Sequence, residues 1–467
     1  MLPLEGITVV TLEHAIAAPC CTRQLADLGA RVIKVERPGV GDFARAYDGR
    51  VRGLASHFVW TNRSKESLTL DVKHAQAPAI LDRLLAKADV LVQNLAPGAA
   101  ARLGLSYEAL SGNHPRLVVC DISGYGADGP YRDKKAYDLL IQSESGFVSI
   151  TGTPDEPSKA GCSIADIAAG MYGYTNILAA LIQRGKTGKG VRLDISMLES
   201  MAEWMSFPMY YAYDGAPAPT RNGAAHATIY PYGPFPTGDR KTVMLGLQNE
   251  REWAEFCKTV LLDPALATDE RFSSNARRTA ARDDLYAIIA KAFSGLTQEQ
   301  VVARLEAAQI ANASVNTMAD LWAHPQLQAR GRWTEVQTSA GPIPALLPPG
   351  ARGEIAFRPH AVRLFAGYAA AVEGEIRLTG TIENEEFLGE FRGLDLGQQL
   401  AGFHPIAQIH QVACQVAAGA GVNGRFHPRF HLCRQQQPRR RFAGHGRHHA
   451  DHRNGQFARF AGHHLPL

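Results

Sequence analysis

No stretch of this 467-residue sequence offers the roughly 18 uncharged apolar residues of a membrane span in a suitable context. The most apolar run, residues 162–184, is interrupted by Thr175, Asn176 and several glycines. A basic amino-terminal region is missing too. Glu5 and a strand-like segment over residues 7–12 follow Met1 directly, so no signal peptide is expected. Cysteine is sparse: seven residues, odd in number and irregularly spaced, exclude a disulfide framework and point to reduced thiols in the cytoplasm. The adjacent Cys20 and Cys21 have no His or Cys partners at ligand spacing, so no metal is expected. No G-x-G-x-x-G follows the first strand, which disfavours a nicotinamide or flavin cofactor. Nor is the formal charge of +4 spread evenly. Residues 352–467 hold 14 Arg, no Lys and 9 acidic residues, whereas the preceding 351 residues carry 35 basic and 36 acidic groups. A near-neutral body of that size excludes a nucleic-acid binder organised around a basic face.

What is present reads as α/β. Strands are expected at residues 7–12, 31–36, 67–72, 90–93, 117–122 and 191–196, with helices at 19–28 and 77–88. The first two strands stand one βαβ unit apart, which predicts a parallel, Rossmann-like sheet. The length allows two or three domains.

Residues 162–184 predict one helix of about five turns stopped by Gly185. It is uncharged from Ile167 to Leu181, which predicts burial in the middle of a domain. Ala165, Ala168, Ala169, Gly170 and Gly173 leave room for other backbones to come close. Its acidic residue, Asp166, lies in the first turn, where free N–H groups and the helix dipole favour the carboxylate form. An acid there also stabilises a helix in many proteins without further purpose. An ionised carboxylate in a partly dry site is, however, a candidate nucleophile.

The flanks of this helix, Ser145-Gly-Phe-Val-Ser-Ile-Thr-Gly-Thr-Pro and Arg184-Gly-Lys-Thr-Gly-Lys-Gly190, resemble the central signature of the class III CoA-transferases, the CaiB/BaiF or formyl-CoA transferase family. Five further blocks follow that family's order: residues 3–9, 28–42, 62–73, 88–98 and 121–130. The resemblance covers about residues 3–350. It implies that Asp166 is the covalent nucleophile and that coenzyme A, as a substrate thioester, is held by Ile16, Ala17, Arg37, Leu70, Lys73, Asn94, Leu95, Arg102, Lys135, Tyr137 and Asp138. Arg37, Lys73 and Asn94 follow predicted strands directly, where ligands dock in open α/β sheets. Ile16 stands where some members of that family carry a Gln. No metal or redox cofactor, nucleic acid or membrane enters this reading. The implied reaction moves CoA from a donor such as succinyl-CoA to a small dicarboxylate such as itaconate, mesaconate or citramalate. An acyl-CoA racemase is the alternative, but it needs a histidine, and His114 is the nearest ahead of the Asp166 helix. An inactive CoA-binding protein is another.

The expected domains are a large CoA-binding domain over 1–213, a linker over 214–223, a smaller α/β domain over 224–325, and a return towards the large domain over 326–351. Helices are expected at 197–211, 250–261, 282–293 and 298–308, with a strand at 243–248. The first of these helices, rich in methionine, reads as core or subunit contact. By resemblance the chain forms an interlocked homodimer, and residues 246–249 stand at the place of a glycine-rich lid, yet are poor in glycine. Residues 352–467, holding 11 of the 17 histidines, lose the family pattern. They read as the product of a shifted reading frame with no selected fold. A genuine appended tail or a His-rich metal-binding segment is the other reading.

Overall fold

A computed structural model describes residues 2–349 and the two-residue strand Leu364–Phe365. Expectations for the rest of residues 352–467 lie outside the described residues. Six parallel strands, β1 (Thr8–Leu12), β2 (Arg31–Glu36), β3 (Lys65–Thr69), β4 (Val90–Gln93), β5 (Val118–Ser123) and β6 (Arg192–Ser196), form a sheet in the order β3-β2-β1-β4-β5-β6. Leu364–Phe365 pairs in parallel along the outer side of β3. The chain thus winds outward from β1 in both directions, and the order reverses between β1 and β4. In such sheets that reversal opens a crevice at the carboxyl ends of the strands.

Both faces of the sheet are covered, which is why the central strands β1, β4 and β5 carry consecutive Val, Ile and Leu rather than alternating with polar residues. Val9, Val32, Val90, Val92, Val118 and Cys120 pack beneath the helix α1 (Ala17–Asp27) and the central helix Ile164–Thr187. Val10, Ile33, Val35, Leu91 and Val119 pack against Leu81, Leu84 and Leu85 of the helix Ala77–Leu85 on the other side.

The central helix departs from its sequence-based outline in two ways. Gly185 does not end it. The helix continues to Thr187, and Gly188 ends it at φ +72°, its N–H returning to the Arg184 carbonyl at 2.8 Å. Nor is it buried all round: Ala165, Ala168, Ala169, Gly173, Ile177 and Ala180 face the core, while Met171 and Ile182 are exposed. The close approach expected at its glycines is present. A Cβ on Gly170 would lie 2.7 Å from the Ala17 carbonyl oxygen, and one on Gly173 would lie 3.3 Å from Cys21 Sγ. The methionine-rich run is two helices, Met197–Trp204 and Ser206–Tyr211, broken at Met205. Met197, Met201 and Met205 enter the core, but Trp204, Phe207, Met209 and Tyr210 stand in solvent.

Residues 213–223 run along the loop before the central helix, where the Arg221 guanidinium donates to the Thr153 and Pro154 carbonyls at 3.0 and 2.9 Å. Beyond them, β7 (Tyr232–Pro236), β8 (Thr242–Gly246) and β9 (Ala311–Ser314) form an antiparallel sheet. The helices Glu250–Glu255, Arg282–Phe293 and Gln298–Ala307 accompany it. Phe235, Trp253, Phe256, Phe272 and Phe293 fill a second core. The first helix is shorter than expected, widening into a π-turn over Phe256–Val260. The glycine-poor segment before it is a helix cap: the Glu252 N–H donates to Asn249 Oδ1 at 3.0 Å. A hairpin of β10 (Trp333–Thr338) and β11 (Gly341–Leu346) then returns to the first region, where Arg52 donates to the Pro342 carbonyl at 3.1 Å.

Candidate active site

A helix that joins two parallel strands runs back against them, so α1 and the central helix both begin at the carboxyl edge of the sheet. Their first turns meet there. Asp166, in the first turn of the central helix, is half-buried, and the Ala17 N–H at the start of α1 lies near enough to favour its ionised form. Asp138 stands beside it. Its Oδ1 accepts the Ala165 N–H of the central helix at 2.9 Å, and its Oδ2 accepts from Gln142 Nε2 at 2.7 Å. Asp138 therefore caps the helix that carries Asp166.

The protonation of Asp166 is the opposite of the sequence-based expectation. Burial, and then the neighbouring Asp138 charge, push its pKa up to about 7 against the opposing pull of the Ala17 N–H. Desolvation outweighs the helix terminus because the site is partly dry. A carboxyl group poised near neutrality gains nucleophilic strength relative to one ionised at pH 4. Cys20 from α1 and Tyr47 from the segment between β2 and β3 also face Asp166, and burial keeps both protonated. The phenol of Tyr47 is edge-on to His57, and Phe43 bridges Tyr47 to a stacked His14.

The other residues singled out in the sequence come from loops after β1 to β5 and so share this edge. Ile16 is buried at the start of α1, and Leu70 is buried just past β3. Asn94 clamps the turn after β1: its Oδ1 accepts the His14 N–H and its Nδ2 donates to the His14 carbonyl, both at 2.9 Å. Leu95 follows it, half-buried. Arg37, Lys73, Arg102 and Lys135 are exposed and make no ion pair with described residues, and Tyr137 is likewise exposed. Such unpaired, exposed cations fit a substrate bearing several phosphates. Asp138, by contrast, has both oxygens engaged with protein. His114, which the racemase alternative would need, lies before the amino end of β5, 2.9 Å from Asp82 Oδ1. It is separated from Asp166 by the length of a strand, on the order of 20 Å.

Sequence reasoning missed a buried polar group under the turn between β1 and α1. Glu13 accepts from Thr22 Oγ1 and Lys65 Nζ, both at 2.7 Å, and Lys34 Nζ bonds Asp42 at 2.6 Å. Burial works to raise the Glu13 carboxyl, but Lys65 and Lys34 outweigh it and hold it below the usual range; burial brings the Lys65 ammonium down to about 8. Lys34, between Ile33 and Val35 in a sheet covered on both faces, was the one partial signal, since a lysine buried there must find a partner. Among the described residues no helix is long and apolar enough to cross a membrane, and no group of three or more His, Cys, Asp or Glu side chains is placed to hold a metal ion.

The pattern that defines CoA-transferase family III matches residues 4–360. The succinate–glutarate CoA-transferase of Agrobacterium fabrum is 36% identical over 351 residues, 73% of this chain and 87% of that protein. The succinyl-CoA:glutarate CoA-transferase of Homo sapiens is 34% identical over 337 residues, 72% of this chain and 76% of the human one. Among solved structures, a CAIB/BAIF family protein from Brucella suis superposes with a TM-score of 0.67 at 34% identity, covering 77% of this chain and 95% of that chain.

Proposed function

This chain belongs to CoA-transferase family III and is a CoA-transferase; within that activity we propose that it moves coenzyme A from succinyl-CoA to a short dicarboxylate through a covalent intermediate on Asp166. The observation that carries the choice of nucleophile is the junction itself: a half-buried carboxyl, raised to about 7, where two helices begin at the switch edge of the sheet. In its ionised form Asp166 attacks the thioester carbonyl; the C–S bond breaks and the thiolate leaves, giving an aspartyl–succinyl anhydride. Attack of that thiolate on the aspartyl carbonyl releases succinate and leaves a thioester on Asp166. The acceptor carboxylate attacks this thioester and expels the thiolate again. Attack of the thiolate on the acceptor's acyl carbonyl then restores the Asp166 carboxylate. No net redox change occurs, and the thioester energy is conserved throughout.

Glutarate is the preferred acceptor in this reading because both relatives above carry it in their names; itaconate, mesaconate and citramalate follow. Arg37, Lys73, Arg102 and Lys135 supply the cations for the phosphates, with Ile16, Leu70 and Leu95 as the apolar wall. A second copy of the chain is the partner that would cover the exposed Trp204, Phe207 and Tyr210. Exchange between succinyl-CoA and a panel of these acids tests the reading. Asp166→Ala is expected to abolish exchange while CoA binding persists, and Arg37→Ala or Lys73→Ala to weaken that binding by about 1–3 kcal/mol. An Asp166→Ala enzyme that still turned over would remove the covalent route.

A further inference from the structure

Two lysines and two carboxylates lie under the turn from β1 to α1 and take no part in the transfer steps. Glu13, Lys34, Asp42 and Lys65 are each at most 3% exposed. Lys34 Nζ donates to Asp42 Oδ2 at 2.6 Å and Asn62 Oδ1 at 2.8 Å, and Lys65 Nζ donates to Glu13 Oε1 at 2.7 Å and the Pro19 carbonyl at 2.9 Å. Stability does not account for such a cluster. The lost hydration of four buried charges offsets most of their attraction, and apolar replacements of similar volume are often neutral or stabilising.

What the cluster grips is the turn. Ala15 has φ +62°, a left-handed conformation that costs a residue with a Cβ roughly 1 kcal/mol or more, so its neighbours must impose it. Asn94 holds the preceding peptide from one side, and on the other the Ala15 N–H donates to Asp42 Oδ1 at 3.2 Å. The second Asp42 oxygen is taken by Lys34. Two residues beyond Ala15, the Ala17 peptide packs against the Asp166 helix, its carbonyl oxygen 2.7 Å from where a Cβ on Gly170 would lie, and the Ala17 N–H is near enough to favour the Asp166 carboxylate. Lys34 therefore aims Asp42, Asp42 sets Ala15, and the turn directs Ala17.

We propose that Lys34 and Asp42 are positioning residues for the nucleophile, locking the strained turn so that the Ala17 N–H is held against Asp166. The proposal rests on the reading of Asp166 as nucleophile. Its consequence is a dependence of kcat and of its pH profile, rather than of acyl-CoA binding, on a pair that touches no substrate. Among the described residues, the titratable groups facing Asp166 are Asp138, Cys20 and Tyr47, of which the last two stay protonated. The Ala17 N–H favours the ionised carboxylate, so its loss makes Asp166 harder to deprotonate and moves the acidic limb of activity to higher pH.

The test is a double variant, Lys34→Met with Asp42→Leu, which removes both charges together and leaves Glu13 with Lys65. Because the change is charge-neutral, a shifted limb reports geometry rather than a field. We expect cooperative thermal unfolding, a KM for succinyl-CoA within about twofold of the parent, and kcat lower by roughly ten- to a hundredfold. The acidic limb should rise by about half a pH unit or more. Asp42→Asn, which keeps an oxygen for the Ala15 N–H but gives up the Lys34 ion pair, should lose less kcat and shift less. Parent kcat and limb in the double variant, or a loss confined to KM, would overturn the proposal; should that protein fail to fold, parent values in Asp42→Asn do so alone. Asp166→Asn run in parallel separates the two readings. Activity surviving it rejects the nucleophile, whereas an inert Asp166→Asn beside an unshifted double variant rejects only the positioning role.

Discussion

Asp166 and Asp138 are two carboxyl groups at one helix start with different surroundings. Burial and the Asp138 charge raise Asp166 to about 7, while Asp138 spends its oxygens on the Ala165 N–H and Gln142. The attacking form is the anion, so kcat should climb with pH through about 7. Asp138→Asn keeps the oxygen that caps Ala165 and removes the charge; pH–rate profiles should show its acidic limb at lower pH than the parent's. The same shift acts on stability. Between the ordinary value of 3.8 and about 7 the folded chain holds the Asp166 proton that the unfolded chain has released, so this residue costs stability as pH rises across that window. Asp166→Asn should accordingly melt above the parent at neutral to alkaline pH, and that advantage should shrink as pH falls and vanish well below the ordinary value of 3.8, where both states of the parent are protonated. Melting curves at the two extremes check it.

At the scale of elements, the contact between α1 and the central helix depends on small residues, and the two glycines at 170 and 185 make opposite predictions. A Cβ at Gly170 would press on the Ala17 carbonyl at 2.7 Å and on Cys20 Cβ at 3.1 Å. Gly170→Ala should therefore push apart the two helix starts, at about 1–3 kcal/mol of stability and with a fall in kcat, since the displaced peptide neighbours the one whose N–H favours the Asp166 carboxylate. Gly185 lies inside the helix, and nothing stands within 4 Å of the position an added methyl group would take. Gly185→Ala should stabilise by about 0.5–1 kcal/mol with kcat unchanged. Denaturant titrations of the two variants give the comparison.

At the scale of the molecule, several of the apolar side chains exposed among the described residues sit on consecutive helices: Met171 and Ile182 on the central helix, then Trp204, Phe207, Met209 and Tyr210, the last 77% exposed. Patches of this kind mark interaction surfaces, and a second copy is the occupant the proposed function commits to. Light scattering on the eluting protein should give twice the chain mass, and Phe207→Glu with Tyr210→Glu should halve it. A monomeric parent would remove the dimer from the reading. Charge is distributed by the fold as well: Arg37, Lys73, Arg102 and Lys135 gather along the sheet's carboxyl edge only because every strand of the six is parallel.

The parallel α/β class, the six strands of the large sheet within a few residues, and Asp166 as the acid of a small-residue helix were legible in the sequence. Valine-rich strands at βαβ spacing and a glycine- and alanine-rich run are local patterns, and local pattern determines local conformation. The state of Asp166 was not legible. Its helix start favours the anion, and only folding adds the burial and the Asp138 neighbour that reverse the preference. The Lys34–Asp42 and Lys65–Glu13 pairs were hidden for the same reason, since their partners come together only when β1, β2 and β3 align side by side. Likewise the central helix reads as apolar along its whole length, yet only packing chose which face meets the core and which stays in water. Contacts between residues distant in the chain have no local signature, so the site's chemistry belonged to the tertiary structure.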